Sequence, residues 1–297
     1  RLNMKTRCSI YVMALLLSGC ATTTNNKSVI NIQTPLSAND VIKNATADEW
    51  QVVDPQNILK ITLPTGSAYI ALNPQLAPKH TQHIKTLAQE GFYKNTRVYR
   101  FVEGFVAQGG DSSGKKEIKT ANKTVPAEFY LPTSQPLKIT ELKGDGYAPV
   151  TGFLNGFAVA QNQTQTQTWQ VHCNGVFAMA RANDINSAST EFFVTIGQGP
   201  RYLDKNITVF GRVLEGMEHF NRLQRLPTEG LAFNPITNIE VLADVNSDAT
   251  VFKVMKTSSA SFKQLIDARK SRTEPWFVQS YNYVDVCGMP IPTKRVI

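Results

Sequence analysis

Residues 98–111, VYRFVEGFVAQGGD, constrain this 297-residue chain more than any other stretch. Val98, Tyr99, Phe101 and Val102 make an apolar strand run, Glu103-Gly104 turns it, Phe105-Val106-Ala107 resumes it, and Gln108-Gly109-Gly110-Asp111 ends it. The pattern predicts two antiparallel strands joined by a tight turn, with successive side chains on opposite faces. Arg100 interrupts the first of them. A guanidinium is costly to bury without a partner, so by itself Arg100 reads as half of an ion pair with a carboxylate elsewhere in the chain.

A second stretch, FAMARANDINSASTEFFVTIGQGPRYLDKNITVFGRV at 177–213, predicts short strands at 177–180, 192–196 and 209–213 between polar, Gly/Pro-rich loops. The strings RFVEGFVAQGGD, MARA, EFF and LDKNITVFG, in that order, resemble the cyclophilins, the peptidyl-prolyl cis-trans isomerases. The resemblance extends more weakly over 57–244 and is greatest to bacterial envelope members with an extra segment before MARA and a tail after the barrel. It implies a mainly β fold, a closed eight-stranded antiparallel barrel capped by helices, here with a long loop insertion and a C-terminal helical and extended appendage.

By the same resemblance Arg100 matches the catalytic arginine and Gln108 the glutamine that supports it. Phe105, Val106, Phe193 and Leu203 match the wall of the proline pocket, and Ala180, Arg181 and Ala182 the segment that pairs with an extended peptide. Without the resemblance, Phe105, Phe193 and Leu203 read as ordinary core. The implied activity is isomerisation of X-Pro bonds in exported or unfolded proteins. It requires no nucleophile, cofactor or metal: a donor that favours the twisted amide suffices. Val106 stands where many members have Met, Tyr202 where they have Trp, Ile207 where they have His, and Glu191 where they have Gln. Tyr202 retains an aromatic wall, and Ile207 removes a polar group from the rim. Glu191 places a carboxylate in reach of Arg100 or Arg181, where pairing with Arg100 would compete with substrate. These departures keep an alternative open, a catalytically weak or inactive module that holds an envelope partner in the groove.

Residues 1–20 read as a secretory signal: Lys5 and Arg7 follow Met4, taken as the start, and an apolar run at 10–17 ends in Leu17-Ser18-Gly19-Cys20. LSGC resembles a bacterial lipobox, which implies a diacylglycerol on Cys20 and a stable two-chain membrane anchor. Ala21 rather than Asp after Cys20 implies the outer membrane, facing the periplasm. Removal of the signal takes three of the chain's +8 charges and leaves +5, with no dense basic block for nucleic acid. Residues 21–49 are Thr/Asn/Ser-rich and predict a flexible tether with a short helix near 39–47. Order is expected from Trp50.

Within the expected 50–244 domain, residues 58–63 and 68–72 predict a hairpin. Pro78 opens a helix whose apolar face is Ile84, Leu87 and Ala88 and which Gly91 ends. His80 and His83 on that helix lack a third ligand nearby and are expected to face solvent, with no metal. GGDSSGK at 109–115 falls short of a phosphate loop, because Lys116 stands where Ser or Thr is required and no helix follows. The insertion at 117–175, with its uncharged tract QNQTQTQTWQ, is expected to be loops with no means of packing a core. In the tail, 245–297, Phe262, Leu265, Ile266 and Arg269 predict an amphipathic helix lying on the barrel. With Cys8 in the signal and Cys20 lipidated, Cys173 and Cys287 remain as an even pair in an oxidising compartment and are expected to form a disulfide. A monomer is expected.

Overall fold

The computed structural model of the protein describes residues 36–296; the signal, Cys20 and the first part of the tether lie outside the described residues. Eight barrel strands are named in chain order. β1 (Ile58–Leu63) and β2 (Gly66–Leu72) form the expected hairpin, and its turn depends on Gly66. There φ is +145°, and a Cβ would come 2.4 Å from the His219 ring. β3 (Thr96–Val102) and β4 (Val106–Gly110) are the two strands read from 98–111. β5 (Val176–Met179), β6 (Phe192–Thr195) and β7 (Val209–Glu215) come from the second stretch.

β8 consists of Pro235–Ile236, paired with β3, and Asn238–Val241, paired with β1. Thr237, between the halves, donates its N–H to Thr62 O. The sheet therefore runs β8-β3-β4-β6-β5-β7-β2-β1 and returns to β8, all pairs antiparallel. Closure leaves no barrel edge to template aggregation. Phe177 sits at the centre of the core with its ring 5.0 Å from those of Phe192 and Phe210.

Of the helices, α1 is Ala38–Asn44, α2 Pro78–Gln89, α3 Met217–Asn221 and α4 Ala260–Ser271. Among the described residues no helix is long and apolar enough to cross a membrane. On α2, Ile84, Leu87 and Ala88 are buried as expected, but His80 and His83 are buried too. The insertion and the loop before β6 cover that face. Glu128 accepts from the backbone N–H of Lys79 and His80 and lies 2.7 Å from His80 Nδ1, while His83 Nε2 meets Ser189 O. Burial pushes the His83 imidazole below its ordinary value.

The insertion is not a set of loops. Leu131–Pro132, Gln167–Gln170, Phe157–Gln161, Val150–Leu154 and Thr140–Leu142 form, in that spatial order, a second antiparallel sheet. The Gln/Thr tract forms one hairpin of it, because a buried amide is tolerated once it is hydrogen-bonded. Gln161 Nε2 donates to Leu137 O and Thr168 Oγ1, and Gln170 bridges Asn73 Nδ2 and Gly211 O.

The short helix expected near 39–47 is α1 at 38–44, but it is packed rather than part of a free tether: Ser37 caps it and buried Ala38 and Val41 set it on α4. The apolar face of α4 meets α1 and the insertion, where Phe262 lies 5.0 Å from Phe153. Trp50–Val52, Val251–Met255 and Thr293–Val296 complete a three-stranded sheet. Cys173 and Cys287 are disulfide-bonded, closing a 114-residue separation.

Cys287→Ser is expected to lower the unfolding free energy by roughly 4 kcal/mol in the chain-entropy picture, read as a drop in melting temperature that reductant reproduces in the wild type. Asp248 joins the tail to the barrel, accepting from Lys60 Nζ at 2.6 Å and Tyr69 Oη at 2.9 Å. Burial alone would raise its pKa, but hydrogen bonds from Lys60, Thr250 and Tyr69 hold the carboxyl well below the usual range. Its contribution is present above an unfolded-state pKa of about 4 and is lost as pH falls toward the lowered folded value. Asp248→Asn should therefore cost about 1–3 kcal/mol at neutral pH, and its melting temperature should converge on the wild type's in acid.

Candidate active site

The site begins with an irregularity in the β3–β4 ladder. Val98 pairs with Gly109 and Arg100 with Gln108, so Tyr99 is an extra residue on β3. A bulge of this kind re-aims side chains and increases local twist. Here it brings Tyr99, Arg100 and Gln108 to one place. Arg100 Nη1 donates to Gln108 Oε1 at 3.1 Å. Gln108 Nε2 donates to Tyr99 Oη and, at 3.2 Å, to Glu191 Oε2, which also accepts from Tyr99 Oη. A carboxylate only accepts, so Glu191 fixes which way the Gln108 amide faces and turns its oxygen toward Arg100.

Arg100 is exposed and, among the described residues, forms no ion pair. Glu191 is tied to Tyr99 and Gln108 rather than to either arginine. Arg181 instead donates to Asn206 O and Ala182 O, and its guanidinium lies 5.5 Å from the Phe129 ring centroid. Tyr99 reads in the sequence as one more apolar strand residue, and its hub position went unread because nothing in the sequence marks the bulge. Burial, reinforced by Glu191, pushes the Tyr99 phenol well above its ordinary value, so it remains a protonated donor.

Beside this polar group lies an apolar one. Val106 and Phe193 are buried, and Phe105, Ala180, Leu203 and Ile207 pack half-buried against the same cluster. The β4–β6 register sets Phe193 directly opposite Gln108, so the amide that holds Arg100 and the apolar wall rest on adjacent strands. Tyr202 is 63 % exposed. Ala180 N–H is held by Glu191 O and Ala182 N–H by Ser187 Oγ, which shapes the 180–182 segment from beneath. The arrangement offers an uncommitted cationic donor at the edge of an apolar surface, with neither a nucleophile–base pair nor, among the described residues, a metal-ligand cluster.

Tyr99→Phe removes a donor to Glu191 and an acceptor for Gln108. In a peptide-isomerisation assay the variant is expected to lose roughly fivefold in kcat/KM while its fold is retained, the equivalent of about one net hydrogen bond.

Three comparisons bear on this geometry. Residues 58–244 match the family model described as cyclophilin type peptidyl-prolyl cis-trans isomerase/CLD. A probable peptidyl-prolyl cis-trans isomerase of Brucella suis is 30 % identical over 173 residues, 58 % of this chain and 74 % of that protein. The peptidyl-prolyl cis-trans isomerase CYP23 of Arabidopsis thaliana is 28 % identical over 187 residues, 60 % of this chain and 66 % of that protein. Among solved structures, cyclophilin AquaCyp293 from Hirschia baltica superposes with a TM-score of 0.70 at 26 % identity, covering 88 % of this chain and 98 % of its own. That coverage extends past residues 58–244 into the added segments.

Proposed function

The chain belongs to the cyclophilin-type peptidyl-prolyl cis-trans isomerases, and from that membership we propose how and where it acts: on X-Pro bonds of exported or unfolded proteins at a bacterial envelope, with Arg100 as the catalytic donor. Amide resonance sets a barrier of roughly 18–20 kcal/mol to rotation about the bond. The barrier falls when the nitrogen pyramidalises and its lone pair accepts a hydrogen bond, an interaction the planar ground state lacks. The observation that carries this reading is that Arg100, exposed and without an ion pair among the described residues, is held by Gln108 next to the Phe193 and Leu203 surface. The proline ring docks on that surface, residues 180–182 align the extended peptide, and the guanidinium reaches the amide nitrogen. Glu191, being tied to Tyr99 and Gln108, leaves Arg100 to the substrate.

Arg100→Ala is expected to lower kcat/KM on a short X-Pro peptide by about a hundredfold, the usual size for a lost transition-state donor. Absence of wild-type turnover in folded protein would instead favour the binding-module alternative.

The location follows from Leu17-Ser18-Gly19-Cys20: a lipid on Cys20 anchors the enzyme to the outer membrane on its periplasmic side, where newly exported chains expose X-Pro bonds. Cys20→Ser should move the protein from the membrane pellet to the soluble fraction and abolish incorporation of labelled palmitate. Retention in the pellet without label would refute lipid anchoring.

A further inference from the structure

A buried polar relay runs from the insertion to the apolar wall, and none of its members is needed for the chemistry described above. Asp145, in the insertion, receives Arg201 Nη1 at 2.6 Å and Nη2 at 3.1 Å. Arg201 Nε donates to Asp204 Oδ2 at 2.7 Å. The other oxygen of Asp204 accepts from the backbone N–H of His172 and lies 2.9 Å from its Nδ1. The imidazole of His172, wholly buried, lies nearly parallel to the Phe193 ring, at 16° with centroids 6.4 Å apart.

The relay grips the pocket wall on two sides. Arg201 and Asp204 bracket the turn Arg201–Leu203, and Leu203 O accepts from the N–H of Ile207. Holding the two charged ends of the turn therefore sets where Leu203 and Ile207 stand. At the other side, His172 backs Phe193. The next residue, Cys173, is bonded to Cys287 of the tail, and its carbonyl accepts from Thr195 Oγ1 on the same strand as Phe193. Gly199 packs so closely on this segment that a Cβ there would fall 2.2 Å from His172 O. Insertion, tail, turn and β6 thus meet at His172 and its neighbour Cys173.

Burying two carboxylates and a guanidinium contributes less stability than an apolar core of equal volume would. What the pairing of Arg201 with Asp145 and Asp204 does supply is one fixed geometry. His172 Nε2 is buried with no partner among the described residues, so the ring is held in place by Asp204 on one edge and Phe193 on its face. We propose that His172 and Asp204 are positioning residues for the proline pocket, through which the insertion and the disulfide-tied tail set the placement of Phe193, Leu203 and Ile207. The proposal builds on the assignment of that surface as the proline site.

Two measurements separate the proposal from that assignment: kcat and KM on an X-Pro peptide, and the methyl NMR signals of Leu203 and Ile207, which report wall geometry whether or not the protein turns over. His172→Phe retains a ring against Phe193 but removes the bond to Asp204; His172→Asn retains an N–H at the position of Nδ1 for Asp204. Because the pocket holds the proline ring alike in ground and transition states, His172→Phe and Asp204→Asn are expected to raise KM about tenfold with little change in kcat. Both should shift the Leu203 and Ile207 methyls, and His172→Asn should recover most of each effect. Should His172→Phe fail to fold, Asp145→Asn, at the far end of the relay and away from the pocket wall, is expected to move the same methyls and KM in the same direction. Folded variants that melt at lower temperature with unchanged KM and methyl shifts would overturn the proposal and leave the relay a structural feature only. Wild-type inactivity would count against the isomerase reading alone, since the methyl shifts would still decide for or against positioning.

Discussion

The bulge at Tyr99 is the constraint from which the site follows. One extra residue on β3 keeps the rest of the ladder in register while setting Arg100 opposite Gln108. A regular ladder would shift one half of the strand to the opposite face, since side chains alternate with a period of two. With the bulge, the guanidinium, the amide and the phenol converge, and Glu191 on neighbouring β6's approach supplies the acceptor that orders them. The carboxylate that looked like a competitor for Arg100 thereby acts on the amide behind it.

The added segments pack into one compact unit with the barrel. The insertion sheet, α1, α4 and the strap 284–289 share one apolar cluster, and that cluster also includes Val106, Ala178 and Phe193 of the barrel. Pocket wall and appendage are therefore parts of the same packed interior, and close-packed interiors transmit displacement rather than absorbing it. Arg212 marks the seam. It donates to Gly156 O in the insertion, has no carboxylate partner among the described residues, and burial pushes its pKa down to about 10.

Short-range patterns made most of the barrel legible. The 58–63 strand, the 98–111 hairpin, the strands near 177, 192 and 209, the helix after Pro78 and the helix at 261–271 all appear close to where alternation, turn residues and helical spacing put them. The disulfide was legible too, because four cysteines with two in the signal left one pair. The insertion was not. Its tract of Gln and Thr carries no hydrophobic alternation, and its burial rests on side-chain amides finding partners as distant in sequence as Asn73 and Gly211. His80 and His83 misled for the same reason: the residues that cover them, Glu128 and Ser189, are 48 and 106 positions away.

What the sequence determined by itself, then, is the run of barrel strands from residue 58 to 215 and the motif strings that carry Arg100, Gln108 and the apolar residues proposed as the wall, because propensity, turns and motif strings are local. What only the tertiary structure decided is how those groups are held: the bulge that faces Arg100 toward Gln108, the attachment of Glu191 to Tyr99, and the His172–Asp204–Arg201–Asp145 relay beneath the pocket. Each depends on a hydrogen bond between residues brought together by chain closure. Such contacts leave no periodicity or spacing in the sequence from which they could be read.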